Sequence, residues 1–78
     1  RKLVGFKMIG RGIPRNGYTI MLEKEKIGTV TSGSYSPSLD CNIGLGYILK
    51  DRVDMGSKIE IKIRNRRVEA EIVKTPFL

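Results

Sequence analysis

Residues 58–74 alternate apolar and charged side chains with a period of two, and this pattern constrains the fold more than any other feature of the 78-residue chain. Ile59, Ile61 and Ile63 alternate with Lys58, Glu60, Lys62 and Arg64, and then Val68, Ala70 and Ile72 alternate with Arg67, Glu69 and Glu71. An extended backbone sends successive side chains to opposite faces, so each apolar set falls on one side of a strand. The segment reads as a hairpin with one dry face and one wet face. A two-residue turn at Asn65-Arg66, where Asn tolerates positive φ, predicts three inward pairs: Ile63 with Val68, Ile61 with Ala70, and Ile59 with Ile72. It also sets Lys62 opposite Glu69 and Arg64 beside Arg67. A slip of one residue would turn all six apolar side chains outward, so this register is the expected one.

Helical periodicity is nearly absent from the rest of the chain. Residues 3–8 (LVGFKM), 18–23 (YTIMLE), 26–31 (KIGTVT) and 44–49 (GLGYIL) read as four further strands, the second and third joined through Glu23-Lys24-Glu25-Lys26. Glycines at 44 and 46 mark a bend or a close backbone approach within the last of these. Residues 33–42 read as a loop and 50–55 as a turn or short helix. Six short strands with no helix to cover a sheet must close on themselves. The expected fold is therefore all-β, a small six-stranded barrel or jelly roll, with residues 1–78 forming a single domain.

Composition removes more chemistry than it offers. There is no histidine, so a Ser-His-Asp or Cys-His catalytic group, an imidazole zinc site and a histidine pH switch are excluded within this chain. No metal site is expected. The single cysteine, Cys41, has no partner for an internal disulfide, which favours a reducing compartment. No apolar run approaches the roughly 20 residues of a membrane-spanning helix, and no secretory leader pattern opens the chain. The first residue is Arg1 rather than Met, which reads as a fragment or processed product. A domain of this size holds together by roughly 4–12 kcal/mol, which packing alone must supply.

The formal charge is +7, unevenly spread. Residues 1–22 carry Arg1, Lys2, Lys7, Arg11 and Arg15 and no acid, a local +5, and a second cluster gathers Arg64, Arg66 and Arg67. Such fields attract anions. Residues 10–17 (GRGIPRNG) superficially resemble a phosphate loop, but Arg15 stands where a third glycine would be needed, no GK[ST] follows, and no helix follows to lend a dipole. The loop reads as a connection, with Arg11 and Arg15 as candidate contacts for a carboxylate or phosphate. The hydroxyl-rich stretch 31–39 lacks G-x-S-x-G and any base to activate a serine. Its serines are expected to satisfy backbone groups. Gly33, Tyr35, Ser36, Pro37 and Leu39 are candidates for contact with a neighbouring domain. The carboxylates form no evident acid–base pair, and no catalytic residue is expected in this chain. Five aromatics without an RNA-binding pattern disfavour nucleic acid.

Several segments, in order, resemble the C-terminal barrel domain of the glycine cleavage system T-protein, the aminomethyltransferase family. They are residues 26–33 (KIGTVTSG), 36–39 (SPSL) and 42–48 (NIGLGYI), preceded by 11–18 (RGIPRNGY) and followed by Gly56-Ser57, the 59–63 strand, Arg67-Val68 and 74–77 (KTPF). The resemblance spans essentially the whole chain. It implies a parent enzyme, central to glycine catabolism and one-carbon metabolism. That enzyme takes an aminomethyl group carried on the lipoyl arm of the H-protein, moves its methylene carbon to tetrahydrofolate, and releases ammonia.

The family's three-domain ring would place its catalytic aspartate and most folate contacts in N-terminal domains absent here. None of those roles transfers to Asp40, Asp51 or Asp54, because none sits in a matching motif, and the family's final tail lies beyond Leu78. Glycines 28, 33, 44 and 46 would then allow close approach of neighbouring domains. The expected partners are the lipoylated H-protein and the missing domains, with no membrane. The expected location is the cytoplasm in a bacterium or archaeon and the mitochondrial matrix in a eukaryote. The isolated fragment is expected to be inactive. The alternatives are a free-standing basic β-barrel binding nucleic acid or another anion, and the matching domain of a dimethylglycine- or sarcosine-oxidising relative.

Overall fold

The alternating hairpin keeps its expected faces but not its expected register. In the computed structural model, which describes residues 2–49 and 56–73, Ile59 lies opposite Ala70 and Ile61 opposite Val68, while Lys62 faces Arg67 rather than Glu69. The turn is Arg64-Asn65, one residue earlier than the sequence suggests, and the left-handed backbone falls on Arg64 at φ 57. Moving the turn by one residue shifts the pairing by two. Side chains repeat every two residues, so the apolar faces are unchanged and hydrophobic pattern alone does not choose between the two registers. Arg67 consequently reaches across to Glu60, Nη1 to Oε1 3.4 Å, instead of standing beside Arg64.

Among the described residues six strands follow in order: β1 (Lys2–Met8), β2 (Thr19–Leu22), β3 (Glu25–Ser36), β4 (Cys41–Ile48), β5 (Lys58–Ile63) and β6 (Arg66–Val73). They form a closed antiparallel barrel in the spatial order β1-β4-β3-β2-β5-β6, with β6 returning to pair with β1. The all-β barrel expected from the sequence is what forms. One departure concerns boundaries. The segment read as a loop, 33–42, is mostly strand: β3 runs on to Ser36 and β4 starts at Cys41, with only a four-residue turn between. Asp40 closes that turn at φ 52, a conformation that aspartate tolerates better than most residues. The turn or helix expected at 50–55 lies outside the described residues.

The barrel's centre is filled by side chains from all six strands. Phe6, Ile20, Val30, Ile61 and Ala70 have no solvent exposure at all, and Ile27, Ile48, Ile59 and Ile72 have almost none. Gly44 and Gly46 make this filling possible. A methyl group added at Gly44 would sit 2.4 Å from the Phe6 ring, and one at Gly46 would sit 2.6 Å from Ile20. Their job is to leave room inside the barrel. The glycines at 28 and 33 also meet their own chain, where an added methyl would run into the Tyr47 and Pro14 carbonyls. Two bulges, at Ile27 and Thr31, add a residue to β3 and help it curve around the closed sheet. Among the described residues no helix is long and apolar enough to cross a membrane.

Candidate functional site

The connection between β1 and β2 crosses one end of the barrel and is fastened down along its length. The amides of Ile9 and Gly10 both donate to the Glu69 carbonyl, at 2.8 and 3.1 Å, and Gly17 donates to Val30 at 2.8 Å. Pro14 is buried, with its carbonyl over Gly33, where an added methyl would fall 1.8 Å from that oxygen. Asn42 Nδ2 donates to the Gly12 carbonyl at 2.9 Å, and Arg66 Nη2 donates to the Arg11 carbonyl at 3.1 Å. A segment rich in glycine and polar residues is thus held by hydrogen bonds to its backbone and by the buried Pro14.

These fastenings gather charges that lie far apart in sequence. The β5–β6 turn stands beside the loop, and between them opens a depression of about 560 Å³ lined by Arg15, Tyr18, Ile63, Arg64 and Arg66, with Arg11 at its edge through the Arg66 contact. All four arginines are exposed. Among the described residues, no carboxylate forms an ion pair with any of them. Guanidinium groups offer paired N–H donors in a planar fork, so the arrangement suits carboxylate or phosphate held at the surface. Sequence reading singled out Arg11 and Arg15 and separately noted Arg64, Arg66 and Arg67. It had no means to join the two sets, because the contact spans 55 residues. Arg67 departs from the cluster and turns to Glu60 and the Glu23 carbonyl.

The five candidates on the β3–β4 hairpin divide. Tyr35 is 53% exposed and Leu39 36%, and Pro37 also faces solvent. Ser36 is buried, and its Oγ accepts a hydrogen bond from the Leu39 amide at 3.3 Å, so it serves the turn, as expected of serines here. Gly33 is closed off on its side-chain side by Pro14. The Tyr35 hydroxyl donates to Asp40 Oδ1, and this carboxylate raises the tyrosine's ionisation above its ordinary range, by accepting that hydrogen bond first and by its charge in addition. Both candidate sets lie at the same end of the barrel, joined through the Pro14–Gly33 and Gly12–Asn42 contacts. Among the described residues no group of three His, Cys, Asp or Glu side chains is placed to hold a metal. Cys41 is a free, half-buried thiol at the start of β4.

Comparison with known proteins sets this geometry among relatives. All of residues 1–78 match the model of the glycine cleavage T-protein C-terminal barrel domain. An aminomethyltransferase of Halothermothrix orenii is 54% identical over 78 residues, 100% of this chain and 22% of that protein. One from Natranaerobius thermophilus is 53% identical over 77 residues, 99% of this chain and 21% of that protein. The chain therefore spans about a fifth of the curated relatives it matches. A crystal structure of the glycine cleavage system aminomethyltransferase T from Bartonella henselae superposes with a TM-score of 0.84 at 28% identity, covering 97% of this chain and 21% of that one.

Proposed function

The chain belongs to the family of glycine cleavage T-protein C-terminal barrel domains, and on that premise we propose that it is the C-terminal domain of a longer aminomethyltransferase. The parent enzyme transfers the methylene carbon of the aminomethyl group on the lipoylated H-protein to tetrahydrofolate, with release of ammonia. The observation that carries this reading is similarity across the entire barrel, 54% over 78 residues, to a protein named for that activity. The relatives are bacterial, and the proposal places the parent enzyme in the cytoplasm.

Within that enzyme the barrel's role is support. Its interior is filled by Phe6, Ile20, Ile61 and their neighbours, so a bicyclic pteridine has no room inside. The arginine-lined depression is open, and its residues fit an anionic tail at the surface but not an enclosed ring. No step of the reaction is therefore routed through this chain. The chemistry falls to the N-terminal domains, and the isolated barrel does not turn over.

What the barrel offers to reactants is charge. Arg11 and Arg15, with Arg64 and Arg66 beside them, face either the glutamate tail of the folate or an acidic surface of the H-protein. The test is an assay of aminomethyl transfer by the full-length enzyme and by the isolated chain. Turnover is expected from the first and none from the second. In the full-length enzyme, Arg11→Ala and Arg15→Ala are expected to raise the KM for H-protein or folate with little change in kcat. Unchanged constants for both would remove the arginines from the proposal. A salt-dependent gel shift of nucleic acid by the isolated chain would instead favour a free-standing anion-binding barrel.

A further inference from the structure

Strand β4 is apolar on both faces, and only its inner face is explained by the barrel. Gly44, Gly46 and Ile48 point inward and are buried. On the other side stand Ile43, Leu45 and Tyr47, with Leu49 just beyond the strand. Tyr47 is 43% exposed and Leu49 50%. Leu3 of β1, also 50% exposed, lies directly opposite Tyr47 and widens the apolar row. On the β3 side the cross-strand partners are short: Thr29 opposite Tyr47, Ser32 opposite Leu45, Ser34 opposite Ile43. The row therefore overlooks two hollows. One of about 480 Å³ reaches Thr29, Tyr47 and Leu49, and a smaller one of about 150 Å³ lies between Ser32, Ser34, Ile43 and Leu45.

The opposite wall shows what a water-facing surface looks like in this same barrel. The outward positions of β5 and β6 are Lys58, Glu60, Lys62, Arg67, Glu69 and Glu71, all charged, with Val73 at the end of β6 as the exception. An antiparallel sheet with one solvated face alternates cleanly, whereas a strand apolar on both faces is typical of one covered twice. We propose that the outer face of β4, formed by Ile43, Leu45, Tyr47 and Leu49 with Leu3, is buried against the N-terminal part of the parent polypeptide. This rests on the reading above that the barrel is one domain of a longer enzyme.

Length and area favour that occupant over a second copy of the barrel. Relatives carry nearly four-fifths of their length outside the matched segment. Seven strand residues at ~3.3 Å each, across three strands ~4.8 Å apart, give a strip of roughly 200–300 Å². A free-standing complex needs about 800 Å² per partner. Contacts between domains of one chain begin at about 300 Å² per side. Tethering supplies the effective concentration that so small a patch needs.

The experiment is covalent footprinting of the active full-length enzyme by hydroxyl radicals, read residue by residue by mass spectrometry. Labelling of Tyr47, Leu49 and Leu3 is expected at no more than a fifth of the rate their exposure in the barrel would give, at every protein concentration tried. Labelling at the full rate in an enzyme that transfers aminomethyl groups overturns the docking face and leaves the parent reading intact. Protection that vanishes on dilution also overturns it, since a second copy would then be the cover. Absence of aminomethyl transfer by the full-length protein strikes at the parent reading instead. As a second measurement, Tyr47→Lys or, should that variant not fold, Tyr47→Ser is expected to speed proteolytic release of the barrel about tenfold, whereas Lys62→Ala leaves it unchanged. Equal release rates for all three overturn the proposal.

Discussion

Strands β4 and β6 flank β1 on its two sides and divide their residues in opposite ways. On β6 the inner positions hold Val68, Ala70 and Ile72, and the outer ones hold Arg67, Glu69 and Glu71, with Val73 only at the strand's end. On β4 the inner positions hold two glycines and Ile48, and the bulk lies outside, in Ile43, Leu45 and Tyr47. The lesson is that inner volume is a shared quantity. Phe6 and Ile20 reach across to fill what β4 leaves empty, so a strand can surrender its core positions and carry its apolar side chains on the other surface. What counts as inside for β6 is set by the barrel alone, and for β4 by something more.

Breaking the inner wall should cost most. Ile61→Ala, in the middle of β5 and without solvent exposure, is expected to destabilise the chain by about 2–5 kcal/mol in denaturant unfolding. Lys62→Ala, its outward neighbour, should stay within about 0.5 kcal/mol. Equal effects would mean that the two faces have been assigned wrongly. Filling the space that β4 leaves is next in size. Gly44→Val drives a side chain into Phe6 and the Ser32 carbonyl and should cost about 1–3 kcal/mol. Combining it with Phe6→Leu should return part of that loss, and strict additivity would deny that the two positions share one volume.

Smaller effects sharpen the contrast between the turns. Arg64 holds a positive φ at the β5–β6 turn, so Arg64→Gly is expected to raise the unfolding free energy by up to about 1 kcal/mol, seen as a higher denaturant midpoint. At the β3–β4 tip, Asp40 favours the neutral phenol of Tyr35 and raises its pKa. The sign follows: the contribution is whole below tyrosine's ordinary pKa of about 10 and fades as pH climbs through the raised value. Ultraviolet titration should therefore show Asp40→Asn bringing the Tyr35 midpoint down. A midpoint that does not move would remove Asp40 as the cause.

Most of the architecture was legible because a period of two survives local detail. Alternation at 58–74 identified both faces of the hairpin even though the turn fell one residue away, since pairings shifted by two residues bury the same side chains. The turn itself was not legible. Asn65 has the chemistry usually sought, yet the left-handed residue is Arg64. The stretch 33–42 looked like loop because serines, with Gly33, Pro37, Asp40 and Asn42, favour turns, and pairing between β3 and β4 overrode that preference. At the candidate site, Arg11 and Arg15 were visible as loop charges. Their meeting with Arg64 and Arg66 was invisible, because it depends on which strands become neighbours and not on any local pattern.

Closure by β1 and β6 has a mechanical corollary. Gly5 pairs with Val73 and Met8 with Ala70, so the first and last strands hold each other like the final two staves of a cask. Prising out either one strips a partner from two others at once, and no stave can loosen by itself. Fraying at the ends, the usual first stage of heat or protease damage, is thereby converted into a single concerted event. Amide exchange across β1 and β6 should accordingly run at one common rate.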